Sequence, residues 1–166
     1  MALVDALLPE FDHEMSTTRT VLERVPEAKF DWKPHDRSFS IGALAAHVAT
    51  LPTWATETIT RSEIDVSPNQ QPPAAFPSHG DLLATFDRNV AAARAALAGR
   101  TDAELMAMWS LTRNGRTLFS MPKAIVLRSF VLNHLVHHRG QLTVYLRLLD
   151  VPVPSIYGPS ADEPAF

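Results

Sequence analysis

Apolar positions return every three or four residues from Val4 onward: Val4, Leu8, Phe11, Met15, Thr18, Leu22 and Val25. That spacing predicts an amphipathic helix with a bundle-type seam. Pro26 ends it, and Pro9 marks either a kink or the true start. A second helix is expected from about Ser40. Its apolar face holds Ala43, Leu44, Leu51 and Trp54, and Pro52, which cannot donate to the Val48 carbonyl, should kink or restart it. The stretch from Asp65 to Ser78 carries Pro68, Pro72, Pro73 and Pro77 and reads as a long crossover loop. Ser78, with Asp81 three residues on, caps a third helix that buries Leu83, Phe86, Val90 and Leu97 and stops at Gly99. Thr101 and Glu104 mark a short capped turn. Asn114-Gly115, between the short segments 109–113 and 116–119, predicts a β-hairpin. Ser120 and Pro122 launch a last helix to about Leu149, followed by an extended tail through Val153-Pro154 and Tyr157.

Four long helices with one long crossover predict an all-α four-helix bundle, with a small β-hairpin, as a single domain over residues 1–166. The last helix carries a second apolar strip, Leu132, Leu135, Val136 and Leu146, which is expected to form a homodimer contact.

Bulk properties narrow the function classes. The chain has 166 residues, 46% of them hydrophobic, enough for a substantial core. Its net charge of −3 lacks the basic footprint of a nucleic-acid binder, and no apolar run is long enough to span a bilayer. The start, Met1 to Asp5, has no basic segment, so a signal peptide is not expected. The absence of cysteine excludes disulfides and thiolate metal sites and fits a cytoplasmic protein.

The candidate chemistry lies in histidines. His134 and His138 are four residues apart inside the last helix, so both imidazoles share one face, about 6 Å apart along the axis. On a uniform helical wheel they fall within the apolar stripe of Leu127, Phe130, Val131, Tyr145 and Leu149. His137 lies at its edge and Arg139 faces well away. The plain alternative is two core histidines satisfied by hydrogen bonds. His47 changes that balance, because it too points inward, from the second helix. Three inward imidazoles suit a divalent ion such as zinc, nickel or iron, with coordination positions left open for water or substrate. Gln141, one turn beyond His138, and Asp12 are candidates for orienting an imidazole. His13, His35 and His79 read as solvated.

Trp32-Lys33-Pro34, Gly42-Ala43-Leu44-Ala45-Ala46-His47, the run from His134 to Leu142 and Val153-Pro154-Ser155-Ile156-Tyr157-Gly158 together resemble the DinB-like family of metalloenzymes over nearly the whole chain. The resemblance implies an up-down-down-up four-helix bundle, commonly dimeric, with a three-histidine metal site at His47, His134 and His138. It also implies relatives that transfer a low-molecular-weight thiol, such as bacillithiol or mycothiol, to a small-molecule substrate, or that isomerise a substrate with its help. The family name derives from induction by DNA damage and does not imply DNA binding.

Three functions follow as expectations. The first is a metal-dependent thiol transferase, with no catalytic side chain assigned. The second is metal-assisted hydrolysis, although no His-Glu-x-x-His arrangement supplies a base. The third is a metal-binding stress-response protein without turnover.

Overall fold

The computed structural model describes residues 2–66 and 75–164. Helix α1 (Leu3–Glu23) buries the expected Val4, Phe11, Met15, Thr18 and Leu22, but Leu7 is buried where Leu8 was expected and Leu8 is only partly buried; Pro9 does not interrupt the helix. Ser40 caps α2 (Ile41–Thr50), its hydroxyl accepting from the Ala43 N–H. Leu51 keeps right-handed helical angles, so α3 (Pro52–Thr60) restarts at once with proline in its first position. Side chains take up nearby carbonyls at this junction. The Asn89 amide donates to Ala49 at 2.9 Å, and the Thr53 hydroxyl donates to Thr50 at 2.7 Å.

Of the expected crossover loop, Pro68, Pro72 and Pro73 lie outside the described residues. Ser78 caps α4 (His79–Leu97) through the Asp81 N–H. This helix buries Leu82, Phe86, Ala93 and Leu97, while Leu83 and Val90, expected in the core, are only partly buried. His79 is not solvated as expected. Its Nε2 lies 2.9 Å from the Leu22 carbonyl and its backbone N–H donates to Glu27 at 2.6 Å, joining the start of α4 to the end of α1.

The short helix α5 (Asp102–Met106) begins with the Thr101–Glu104 capping box. The hairpin forms as expected: strands β2 and β3 (Met108–Arg113 and Arg116–Pro122) pair antiparallel about Asn114 and Gly115, with φ of 51° and 73°. Ser120 lies in β3 opposite Ser110 rather than at a helix start. The three-residue strand β1 (Glu63–Asp65), too short to show an alternation in sequence, pairs parallel with β2. The Asp65 carboxylate accepts from the N–H groups of Asn114 and Gly115 at 3.1 and 3.0 Å, which pins β1 to the hairpin turn. The class is therefore mostly helical, as expected, with the expected hairpin extended by β1 into a small three-stranded sheet. Among the described residues, no helix is long and apolar enough to cross a membrane.

The expected last helix is one continuous rod with a change of pitch: α6 (Lys123–Val126), a π-helical segment (Leu127–Leu132), then α7 (Asn133–Leu148). Bonds in a π turn run from i to i+5, so each turn holds one more residue than an α turn. The Asn133 N–H bonds to the Arg128 carbonyl in this way. The extra residue shifts the helical phase. Leu127 and Val131 thus share the buried side with Leu135, Arg139, Leu142 and Leu146, rather than with His134. Leu132, Leu135 and Leu146, expected at a dimer contact, are buried within the chain, and Val136 is partly covered. That strip leaves no free apolar face.

Helix α1 packs against α4 and α7, α2 against α4 and α7, and α3 against α4 and the π segment. Between α1 and α7 lies Arg139, only 1% exposed. Its Nη1 sits 2.8 Å from the Glu14 carboxylate and donates to the Thr18 hydroxyl and the Glu14 carbonyl, both at 3.2 Å. Its Nη2 donates to the Tyr157 hydroxyl at 2.6 Å, and that hydroxyl donates to the Glu14 carboxylate at 2.8 Å. The guanidinium also lies 5.1 Å from the Tyr157 ring centre. The extended tail is thereby fastened to both helices.

Two substitutions test this packing. Glu14→Ala leaves the Arg139 charge buried without its partner and should cost about 3–5 kcal/mol in a urea titration. Gly42→Ala should cost about 1–3 kcal/mol, because a Cβ there would sit 2.8 Å from both Cβ and the carbonyl oxygen of Phe30.

Candidate metal centre

His47, one turn before the end of α2, and His134, the second residue of α7, bring their Nε2 atoms to 3.4 Å. His138, one turn further along α7, completes the group: one ring nitrogen from each histidine lies within 4.8 Å of the others. The ring centres are 5.1 Å apart for His47–His134 and 4.6 Å for each of the other two pairs. His137 is exposed and outside the group, so the i,i+4 pair is the one that faces α2.

The rings are half-buried, not in the core centre as the wheel implied. Arg139 and Leu135 occupy the side toward α1, which leaves His134 and His138 on the flank toward α2. Phe130 stands 5.9 Å from His134 and is backed by Trp54 at 5.2 Å, forming an apolar wall on one side.

Protonation suits cation binding. Burial pushes the His47 imidazole down to about 4, helped by the neighbouring His138 and His134. Burial also lowers His134 and His138, in the latter against the raising effect of the Gln141 hydrogen bond. All three are therefore neutral near pH 7, with lone pairs available. The His138 Nδ1 lies 2.7 Å from Gln141 Oε1. An amide oxygen only accepts, so Nδ1 carries the proton and Nε2 is the bare nitrogen. Two ligand nitrogens about 2.05 Å from a tetrahedral ion stand about 3.3 Å apart. The His47–His134 separation already matches that edge, and the His138 ring would close inward. Gln141 thus occupies the orienting position expected of it. Asp12 does not, because its carboxylate is held by Arg94 at 2.9 Å.

Beside His138 opens a cleft of about 210 Å³, lined by Arg37, Ser38, Phe39, Gln141 and Tyr145. No periodicity or motif singles out Arg37 or Phe39 within the 30–38 connection and its margin. The nearby Trp32-Lys33-Pro34 motif was the available signal, since Trp32 packs edge-on to Tyr145 at 5.7 Å. Arg139, expected to face well away from the apolar stripe, is instead buried between α1 and α7, because the change of pitch before Asn133 turns it toward Glu14, which sits at a seam position of α1.

The sequence profile of the DinB family matches residues 2–165. The chain belongs to the DinB family. Among solved structures, a DinB-like protein from Bacillus cereus superposes with a TM-score of 0.73 at 23% identity, covering 92% of this chain and 97% of the other. A second DinB-like protein, YjoA from Bacillus subtilis, gives 0.68 at 21% identity, covering 90% and 96%. These two likenesses concern the fold. A 43-residue stretch is 46% identical to the uncharacterized protein YrdA of Bacillus subtilis, and the match spans 26% of this chain and 25% of that protein, about a quarter of its length.

The lowered histidines predict a pH dependence for this DinB-family protein without metal. The unfolded chain protonates His47 near 6.5, whereas the folded chain does so at about 4. Between these values the unfolded state binds more protons, so stability is full above pH 6.5 and falls as pH drops toward 4. Urea midpoints of the metal-free protein at pH 7.5 and 4.5 should differ more for the wild type than for His47→Gln.

Proposed function

We propose that this DinB-family protein binds one divalent ion through His47, His134 and His138, and uses it in a metal-dependent transfer of a low-molecular-weight thiol. The observation that carries the reading is the 3.4 Å approach of two neutral imidazole nitrogens from separate helices, with a third alongside. At this separation the two Nε2 atoms share either the N–H proton of one neutral tautomer or a cation, and burial disfavours the imidazolium form that would repel a cation. Three imidazoles accept zinc, nickel or iron.

The donors would sit within an up-down-down-up four-helix bundle, on two facing helices. When bound, the ion would act as a Lewis acid that lowers the pKa of a sulfur or oxygen donor. The chain's own residues do the rest. Gln141 holds the His138 tautomer, Phe130 and Trp54 keep water from one side of His134, and the cleft beside His138 admits a small molecule. Metal-assisted hydrolysis ranks second, because no carboxylate base joins the three histidines among the described residues. A homodimer remains part of the proposal by family likeness, but not through the Leu132–Leu146 strip.

Elemental analysis of untagged protein, loaded with zinc, nickel or iron and then desalted, tests the metal site. The wild type should retain one ion per chain, and His47→Ala and His134→Ala should lose it; equal retention by the variants sinks the reading. Gln141→Leu should weaken metal affinity about 10- to 100-fold. Thiol transfer is checked by metal-dependent conjugation of thiols, bacillithiol and mycothiol included, to electrophiles; no conjugation by the loaded protein would leave a metal-binding protein without this activity.

A further inference from the structure

The cleft beside the histidines has a chemical bias that the three imidazoles do not supply. It is lined by His138 and Gln141 from α7, by Tyr145 one turn further along the same helix, and by Arg37, Ser38 and Phe39 from the connection before α2. We propose that this cleft selects small molecules bearing a carboxylate, held by Arg37, with an apolar body lying between Phe39 and Tyr145. The proposal rests on the metal reading only for which end of the ligand faces the histidines.

Three observations support it. First, the Arg37 guanidinium is exposed and makes no ion pair among the described residues, unlike the arginines at 19, 24, 61, 94, 100, 128, 139 and 147. Residues 67–74 carry no carboxylate that might pair with it. Arginine's planar fork matches a carboxylate in two parallel hydrogen bonds. Among the described residues no acidic side chain lines the cleft, and the full charge they bring to it is positive.

Second, Phe39 is 43% exposed in a chain that buries most of its large apolar side chains. Its carbonyl accepts from the Tyr145 hydroxyl at 3.3 Å, and Trp32 packs against the Tyr145 ring. The Tyr145 ring and the Phe39 backbone are therefore held in place before any ligand arrives. The backbone leading to Arg37 is likewise braced, because the Arg37 N–H donates to His35 Nδ1 at 3.1 Å and Lys33 Nζ donates to the Asp36 carbonyl at 3.1 Å.

Third, the Gln141 oxygen is engaged by His138, which leaves its amide N–H groups to donate into the cleft. A space of about 210 Å³ equals the volume of about seven waters, enough for a ring or a short chain with its carboxylate.

The test compares 3-phenylpropionate with 3-phenyl-1-propanol, matched in body and different in charge. Binding is measured at pH 7.5 on the full chain, both metal-free and zinc-loaded, by ligand-observed NMR and tryptophan fluorescence. The metal-free protein should prefer the acid by about tenfold, the scale of one charge-assisted contact at a partly exposed site. Arg37→Gln should abolish the preference and Arg37→Lys retain part of it. Phe39→Ser should weaken the acid and the alcohol alike. Equal binding of acid and alcohol by the metal-free wild type, or a preference that survives Arg37→Gln, overturns the proposal. Zinc retention is measured on the same samples. If zinc is retained and the preference is absent, the cleft assignment fails alone. If the preference is present and zinc is not retained, the metal reading fails alone.

Discussion

The rotation of α7 about its own axis is held by the buried contact of Arg139 with Glu14. A guanidinium that is only 1% exposed has few tolerable positions, and here its partners come from two directions, α1 and the tail. Such a pair adds little net stability over an apolar replacement, yet separating it leaves a buried charge that costs several kcal/mol. That asymmetry makes it a better register pin than a glue. With Arg139 turned toward α1, the preceding residue must point about 100° away around the helix. That residue is His138, and the direction is toward α2 and His47.

The π segment at Leu127–Leu132 serves the same end from the other side. It lets the apolar seam of the rod stay continuous from Leu127 and Val131 to Leu135, Leu142 and Leu146 while the helix phase shifts. Without the extra residue, a uniform helix would bring His134 onto the buried stripe with Leu127. A histidine there would be fully desolvated and closed to ligands. The shift leaves the imidazoles half-buried: dry enough to be neutral near pH 7, open enough to border a cleft. Departures from α geometry often occur at functional sites, and here the departure has a specific consequence for donor placement.

The surroundings of the site divide its labour. The Phe130 and Trp54 wall is apolar and closed, whereas the His138 side is polar, aromatic and accessible. Gln141 belongs to both parts, orienting an imidazole with its oxygen and facing the cleft with its nitrogen. Gly42 contributes at a distance. Its missing side chain allows α2 to lie against Phe30, at the head of the connection that leads to Trp32, Arg37 and Phe39.

Much of this was legible in one dimension because it depends on local periodicity. The helix starts at Ser40, Ser78 and Thr101, the restart at Pro52 and the turn at Asn114-Gly115 are decided by backbone chemistry within a few residues. The i,i+4 pairing of His134 and His138 and the inward tendency of His47 are of the same kind. Features that need two distant partners could not be read: the parallel docking of β1, the Glu14–Arg139–Tyr157 network and the Arg37 cleft. The helical wheel failed for one physical reason, a constant turn per residue assumed across a segment that does not have it. Local pattern alone therefore determined which residues would lie on helices and which histidines could meet. Packing against α1 and the change of pitch before Asn133 decided which side of α7 became core, because only long-range contacts set the phase of a helix.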